Sequence, residues 1–220
     1  MTESTGPVLV AITGGTSSGK STLAVRLAER LRALSPAVVH QDHYFRNWSP
    51  EEADRRTANS PEAVRWEVLR TDLARLAAGL PVETPPRQAR DIPDPGLRSP
   101  GRVILVEGHL LLWDQAVRDL FHLKVYLDVP DDERIIRRLQ RDTARGADLA
   151  TVAAWLRRDV LPNHWRYTAP ARAWADLLLP ANPVSPAGCE ALAVAIEHLA
   201  AAPPPGPASA GRPDPGPPPG

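Results

Sequence analysis

The chain carries a single cysteine, Cys189, among 220 residues. No intrachain disulfide framework is available to it, so a reducing compartment is the expected setting. Net charge is absent too, since 26 basic side chains balance 26 acidic ones. A dedicated nucleic-acid or membrane-surface binder would show a basic excess, and both classes are set aside on that ground. Aromatic residues make up only 5% of the chain, and they are not interleaved with the basic ones, which removes a stacking platform for single strands. Long apolar runs are missing. The most apolar stretch, Val103 to Trp113, contains Glu107 and His109 and is far short of the ~20 residues that span a bilayer. The start, Met1 to Gly6, has no basic n-region of a signal peptide. A cytoplasmic protein is expected.

Lysine is the scarcest charged residue: Lys20 and Lys124 stand against 24 arginines. Proline is abundant at 25. Nine prolines fall between Pro203 and Pro219, in a stretch too poor in large apolar residues to build a core. Residues 1–202 are therefore expected to form one domain and 203–220 a disordered tail.

Short apolar runs alternate with helical patterns. Val8 to Thr13, Ala37 to His40, Val103 to Val106, Leu123 to Leu127 and Leu177 to Leu179 read as buried strands. Helices are expected over Ser21–Leu34, Ser60–Ala78, an Arg-rich stretch opened by Pro130 and broken by Gly146, Leu149–Trp174 with an interruption at Pro162, and Cys189–Ala201. Six prolines between Pro81 and Pro100 mark a loop. The alternation predicts an α/β fold: a five-stranded parallel sheet with helices on both faces. Ligands bind such sheets at the carboxyl ends of the strands.

One of those ends carries Gly14-Gly15-Thr16-Ser17-Ser18-Gly19-Lys20-Ser21-Thr22. The pattern Gly-x4-Gly-Lys-Ser, between a strand and a helix, is a phosphate loop. Its glycines let backbone N–H groups face a phosphate, and the helix start adds a positive dipole end. Lys20 supplies a compact charge for the β- and γ-phosphates, and the Ser21 hydroxyl can ligate Mg²⁺. Arginine's planar fork would not fit that nest, which explains a lysine in a chain that otherwise uses arginine.

Three further features surround the loop in this topology. Asp42 follows the second strand and can take the proton of an attacking hydroxyl; a turn-capping carboxylate is its alternative role. Glu107 ends the third strand and can hold Mg²⁺, with helix capping as the alternative. Arg134, Arg138, Arg141 and Arg145 fall on one face of a helix, where they can neutralise a transferring phosphoryl group or form a solvated face. His43 is read as a surface-loop residue or one near the substrate, and Trp48 and Trp66 as candidates for stacking on a substrate ring.

Together these residues resemble the uridine kinase branch of the phosphoribulokinase/uridine kinase family, over roughly Val8 to Ala200. The likeness rests on the phosphate loop, His40 to Phe45, Asn59 to Ala63, Ala78 to Pro85, Val106-Glu107-Gly108, Val117 to Leu120, Arg137 to Asp142 with Arg145-Gly146, and Trp174 to Pro180. It implies a P-loop NTPase fold with an Arg-bearing lid at about 137–150. The implied reaction is ATP-dependent phosphorylation of a ribonucleoside 5′-hydroxyl, with ATP and Mg²⁺ as cofactors. Asp42 would be the base, and Ser21 and Glu107 would serve Mg²⁺. Lys20, Arg141 and Arg145 would act in catalysis, and Asp42, Tyr44, Asn59 and Arg138 would meet the acceptor. The partner is then a small nucleoside-like molecule, with no nucleic acid or membrane, and a homo-oligomer is among the expectations.

The phosphate-transfer half follows the family pattern and the base-reading half departs from it. Asn59 stands where the family carries Asp, Trp155 where it often carries Gln, and Pro86 to Pro93 contains no Tyr or His. The segment His40 to Phe45 also resembles nicotinamide riboside kinases, which stay as a second reading. A nucleotide-binding module without kinase activity is a third.

Overall fold

The computed structural model describes residues 6–46, 57, 59–86, 96–181 and 184–201. Trp48, positions 87–95 of the substrate-side loop and the tail 203–220 lie outside the described residues. Along the chain run β1 (Val8–Gly14), α1 (Lys20–Arg30), β2 (Ala37–His40), α2 (Trp66–Ala77), β3 (Val82–Glu83), β4 (Leu97–Arg98), β5 (Val103–Glu107), α3 (Gln115–Arg118), β6 (Leu123–Asp128), α4 (Asp131–Ala144), α5 (Leu149–Trp155), α6 (Leu161–Asn163), β7 (Leu177–Pro180) and α7 (Pro186–Ala201).

The expected five strands form one sheet in the order β2-β5-β1-β6-β7, and every neighbouring pair is parallel. β1 and β5 are buried at every residue, as strands covered on both faces must be. Successive side chains of β1 divide between two cores. Leu9 and Ala11 pack with Leu69, Leu73 and Leu76 of α2. Val8, Val10 and Ile12 pack with Leu23 and Leu27 of α1 and with Leu192 and Ile196 of α7. Fully burying each such leucine contributes about 1.5–3 kcal/mol. The sheet fixes the place of the chemistry: in register, Glu107 lies beside Ile12 of β1 and His40 of β2. The segments that follow these three strands therefore emerge side by side.

Four local expectations need correction. The helix expected from Ser60 starts only at Trp66. Ser60 caps a single 3-10 turn, Pro61–Ala63, by accepting from the Glu62 N–H at 3.3 Å. Val64 then leaves the helical path to bridge Phe45. The proline-rich loop is framed by structure, since β3 and β4 pair antiparallel and Thr84 exchanges side-chain and backbone hydrogen bonds with Gly96. Pro162 does not interrupt its helix. It sits in α6, between π-helical turns at Leu156–Val160 and His164–Thr168, and the helical path runs on through it. The short α3 has no counterpart in the sequence reading; Asp114 caps it by accepting from the Val117 N–H at 2.9 Å.

Lys124 also finds a role. Its ammonium pairs with Asp176 at 2.9 Å, while Asp176 accepts from the Lys124 N–H at 2.8 Å and donates its own N–H to the Lys124 carbonyl. This clamp aligns β7 on β6. Among the described residues no helix is long and apolar enough to cross a membrane.

Candidate active site

The loop after β1 turns through backbone angles that only glycine takes readily: φ is +139° at Gly14 and +94° at Gly19. A Cβ on Gly14 would also stand 2.8 Å from the Leu127 carbonyl. α1 then starts at Lys20, so its positive end faces the loop. The Lys20 ammonium donates to the Gly15 carbonyl at 2.8 Å and spans the loop's mouth.

Lys20 gathers the charges of the site. Loss of solvent pushes its ammonium down to about 8, the Glu107 and Asp42 charges pull it up, and Arg134 and Arg141 push it down. Glu107 is buried at the end of β5. Burial alone would raise its carboxyl. The hydrogen bond from His40 at 2.8 Å, the Lys20 and His40 charges and a hydrogen bond with Ser21 outweigh this and hold it below the usual range. Four residues singled out in the sequence, Lys20, Ser21, Asp42 and Glu107, thus share one electrostatic neighbourhood.

α4 brings the arginines. Arg134 is the most deeply placed, 2% exposed. Its guanidinium lies against Gly15, where a Cβ would collide with it, and donates to the Thr16 carbonyl at 3.4 Å. Asp131 and the His164 ring nitrogen Nε2 hold it there, the latter at 2.9 Å. The His164 imidazole is pushed down to about 4, by burial first and the Arg134 charge second, so it is neutral and accepts at Nε2. Arg138 donates to the Thr16 hydroxyl at 2.9 Å and to Asp142 at 2.5 Å, and its guanidinium stacks 4.7 Å from the centre of the Trp155 ring. Arg141 shares Asp142. Arg145 stands exposed beyond the last turn of α4. Arg137 belongs to another face, paired with Glu133 at 2.7 Å.

On the acceptor side, Asn59 donates its amide to Asp159 at 2.7 Å. Tyr44 departs from the expectation that it meets a substrate. It is fully buried and its hydroxyl donates to Asp72 of α2 at 2.9 Å, so a substrate could touch it only if the core opened. His43 is no surface residue; it is buried with Nδ1 at 3.2 Å from the Pro85 carbonyl. Trp66 packs on the first core and donates its Nε1–H to the Pro61 carbonyl at 2.8 Å.

The residues present fit a nucleotide phosphate with a magnesium ion. Two hydroxyls, Thr13 Oγ1 and Ser17 Oγ, are buried at the loop with no hydrogen-bond partner among the described residues. Gly15, the Lys20 ammonium and the guanidiniums of Arg134 and Arg138 form a cationic cradle. Ser21 and Glu107 offer hard oxygen ligands, as Mg²⁺ requires, and the described residues hold no group of three or more His, Cys, Asp or Glu side chains that would cage a metal alone. Such sparse protein ligation suits an ion that shares its coordination with phosphates and water.

Three contributors were not foreseen from the sequence. His40 anchors Glu107, and its signal is the strand register that sets the two side by side. His164 seats Arg134 from 30 residues away, for which spacing offers no sign. Asp159 is buried among Asn59, Trp155 and Asn163, and no motif in the sequence marks it.

Comparison with known proteins agrees with this geometry. Residues 9–186 match the Phosphoribulokinase / Uridine kinase family. The uridine kinase of Deinococcus deserti is 33% identical over 187 residues, spanning 82% of this chain and 90% of that protein. The uridine kinase of Lactiplantibacillus plantarum is 35% identical over 185 residues, 79% of this chain and 87% of the other. Among solved structures, a provisionally named fructose transport system kinase from Silicibacter sp. TM1040 superposes with a TM-score of 0.64 at 28% identity, covering 82% of this chain and 93% of that one. Phosphoribulokinase from Rhodobacter spheroides shares the fold, with a TM-score of 0.61 at 16% identity over 81% of this chain and 71% of its own. By fold, site and sequence, the chain belongs to the phosphoribulokinase/uridine kinase family.

Proposed function

We propose that the protein is an ATP-dependent kinase that phosphorylates the 5′-hydroxyl of a ribonucleoside, with uridine and cytidine as first candidates. The observation that carries this reading is the gathering at one loop of the Lys20 ammonium, 2.8 Å from the Gly15 carbonyl, the Arg134 guanidinium against Gly15, Arg138 on the Thr16 hydroxyl and Glu107 at the end of the neighbouring strand. In this reading Asp42 is the base, Glu107 a metal ligand and the arginines a cationic cradle around the phosphate loop. The acceptor class rests on the similarity to uridine kinases over most of the chain.

In this reading the loop amides and Lys20 hold the β- and γ-phosphates. Ser21 and Glu107 hold Mg²⁺, which when bound neutralises charge on the phosphate oxygens. Asp42 accepts the proton of the attacking hydroxyl, a contribution of roughly 10²–10⁴ in rate for a well-placed base. Arg134, Arg138 and Arg141 take up the negative charge that spreads over the transferring group.

The test is ADP release from Mg-ATP in the presence of uridine, cytidine, nicotinamide riboside, adenosine, pantothenate or fructose. Stimulation by a pyrimidine nucleoside above the rest supports the proposal. Preference for nicotinamide riboside favours the second reading, which the segment Pro86 to Pro93 keeps open through its lack of Tyr and His. No stimulation by any acceptor refutes the kinase reading and leaves a nucleotide-binding module.

A further inference from the structure

Asp159 lies in the π-helical turn after α5 and is 9% exposed. Its carboxylate is met by neutral donors: Asn59 Nδ2 at 2.7 Å and Trp155 Nε1 at 3.1 Å on Oδ2, and Asn163 Nδ2 at 2.8 Å on Oδ1. The described residues place no cation against it. A carboxylate accepts and does not donate, so the Asn59 atom at 2.7 Å is its amide nitrogen. That contact fixes which way round the amide lies. The Asn59 carbonyl oxygen meets no donor among the described residues, and Asn59 remains half-buried.

The same cluster reaches the phosphate site. Trp155, which donates to Asp159, also stacks beneath Arg138, and Arg138 bonds Thr16 of the loop. Asn59 is thus tied through Asp159 and Trp155 to the segment that holds the nucleotide.

We propose that Asp159 is a positioning residue for acceptor recognition. It grips the Asn59 amide by its nitrogen and so turns the Asn59 carbonyl outward as an acceptor for a substrate hydroxyl. The inference rests on the acceptor reading proposed above. Asn59 and Asp159 are then a matched pair. A carboxylate at position 59 would stand 2.7 Å from that of Asp159, and two carboxylates at that range cannot both ionise without large cost. The negative charge of this subsite belongs at one of the two positions only, and this chain keeps it at 159.

The experiment compares kcat/KM for uridine with that for 2′,3′-dideoxyuridine in wild type, Asp159→Asn, Asn59→Asp and the exchanged double variant Asn59→Asp/Asp159→Asn. A site built to bond a hydroxyl discriminates strongly against its absence. In Asp159→Asn, an isosteric change, the Asn59 amide is free to turn, and the preference for uridine is expected to fall about tenfold. Asn59→Asp alone weakens uridine binding by a similar factor, and the exchange recovers most of both losses. Three results overturn the proposal: a preference unchanged in Asp159→Asn, multiplied losses in the exchanged variant, or a fall in melting temperature with no change in preference. If uridine does not stimulate the wild type, the acceptor reading fails and this assignment falls with it. If the wild type is stimulated and its preference survives Asp159→Asn, the assignment alone fails.

Discussion

Nucleotide binding at pH 8 should take up about half a proton through Lys20. Loss of solvent pushes this ammonium down from 10.5 to about 8 in the free protein. At pH 8 half the molecules then carry a neutral amine. Phosphate oxygens at the loop restore a strong preference for the charged form, so binding draws a proton from buffer. The uptake should be about 0.1 proton at pH 7 and about 0.9 at pH 9. Moving this ammonium from 10.5 to about 8 corresponds to about 3 kcal/mol. Its sign in the free protein follows from proton counting. Between pH 8 and 10.5 the folded state binds fewer protons than the unfolded chain, so stability rises with pH across that window. The assay is titration calorimetry of Mg-ATP binding in HEPES and in Tris buffer between pH 7 and 9, in which the dependence of the apparent enthalpy on buffer ionisation enthalpy counts protons. Lys20→Met should abolish that dependence. Equal enthalpies in both buffers at pH 8, or the same slope in Lys20→Met, would refute the reasoning.

Other perturbations read other parts of the site. Asp42→Asn should lower kcat by roughly 10²–10⁴ while KM for ATP stays within a few-fold; a kcat within a few-fold of wild type excludes Asp42 as the base. Gly15→Ala puts a Cβ into the Arg134 guanidinium, and nucleotide affinity should fall about tenfold by fluorescence titration, an effect of about 1.4 kcal/mol. In an Arg134→Ala background the same change should cost far less. His164, with its imidazole pushed down from 6.5 to about 4, holds fewer protons folded than unfolded in that window. Its contribution is complete above pH 6.5 and fades toward pH 4, by at most about 3 kcal/mol. Urea denaturation at pH 7, 5.5 and 4.5 should be flatter in His164→Asn; an identical slope counts against the burial of a neutral imidazole.

The sheet and the phosphate loop were legible because both are local patterns. A β-branched run reads as a buried strand, and Gly14 to Ser21 reads as a loop in the company of its strand and helix. Asp42 and Glu107 stand out by the same logic, as residues at strand ends in a parallel sheet. Interactions between distant segments were out of reach. Nothing near Val64 announces that Phe45 will claim it for a bridge, so no local pattern delays the helix to Trp66. Nothing near Tyr44 announces Asp72, so no local pattern marks it as a core tyrosine. Arg134 was one of a row of arginines until Gly15 and His164 singled it out. Spacing gives the face of a helix but not which of its residues lies deepest.

The strand order carries a consequence for synthesis on the ribosome. β1 is made well before both its neighbours: Val8 waits for Val103 and Val10 for Leu123. Until then the segment Val8–Gly14, apolar but for Thr13 and Gly14, emerges as an unpaired ribbon. Pairings so distant along the chain form slowly, and exposed ribbons of this kind associate with one another. The nascent protein should therefore depend on chaperone shielding through roughly its first half, and its nucleotide site can close only after Glu107 has left the exit tunnel.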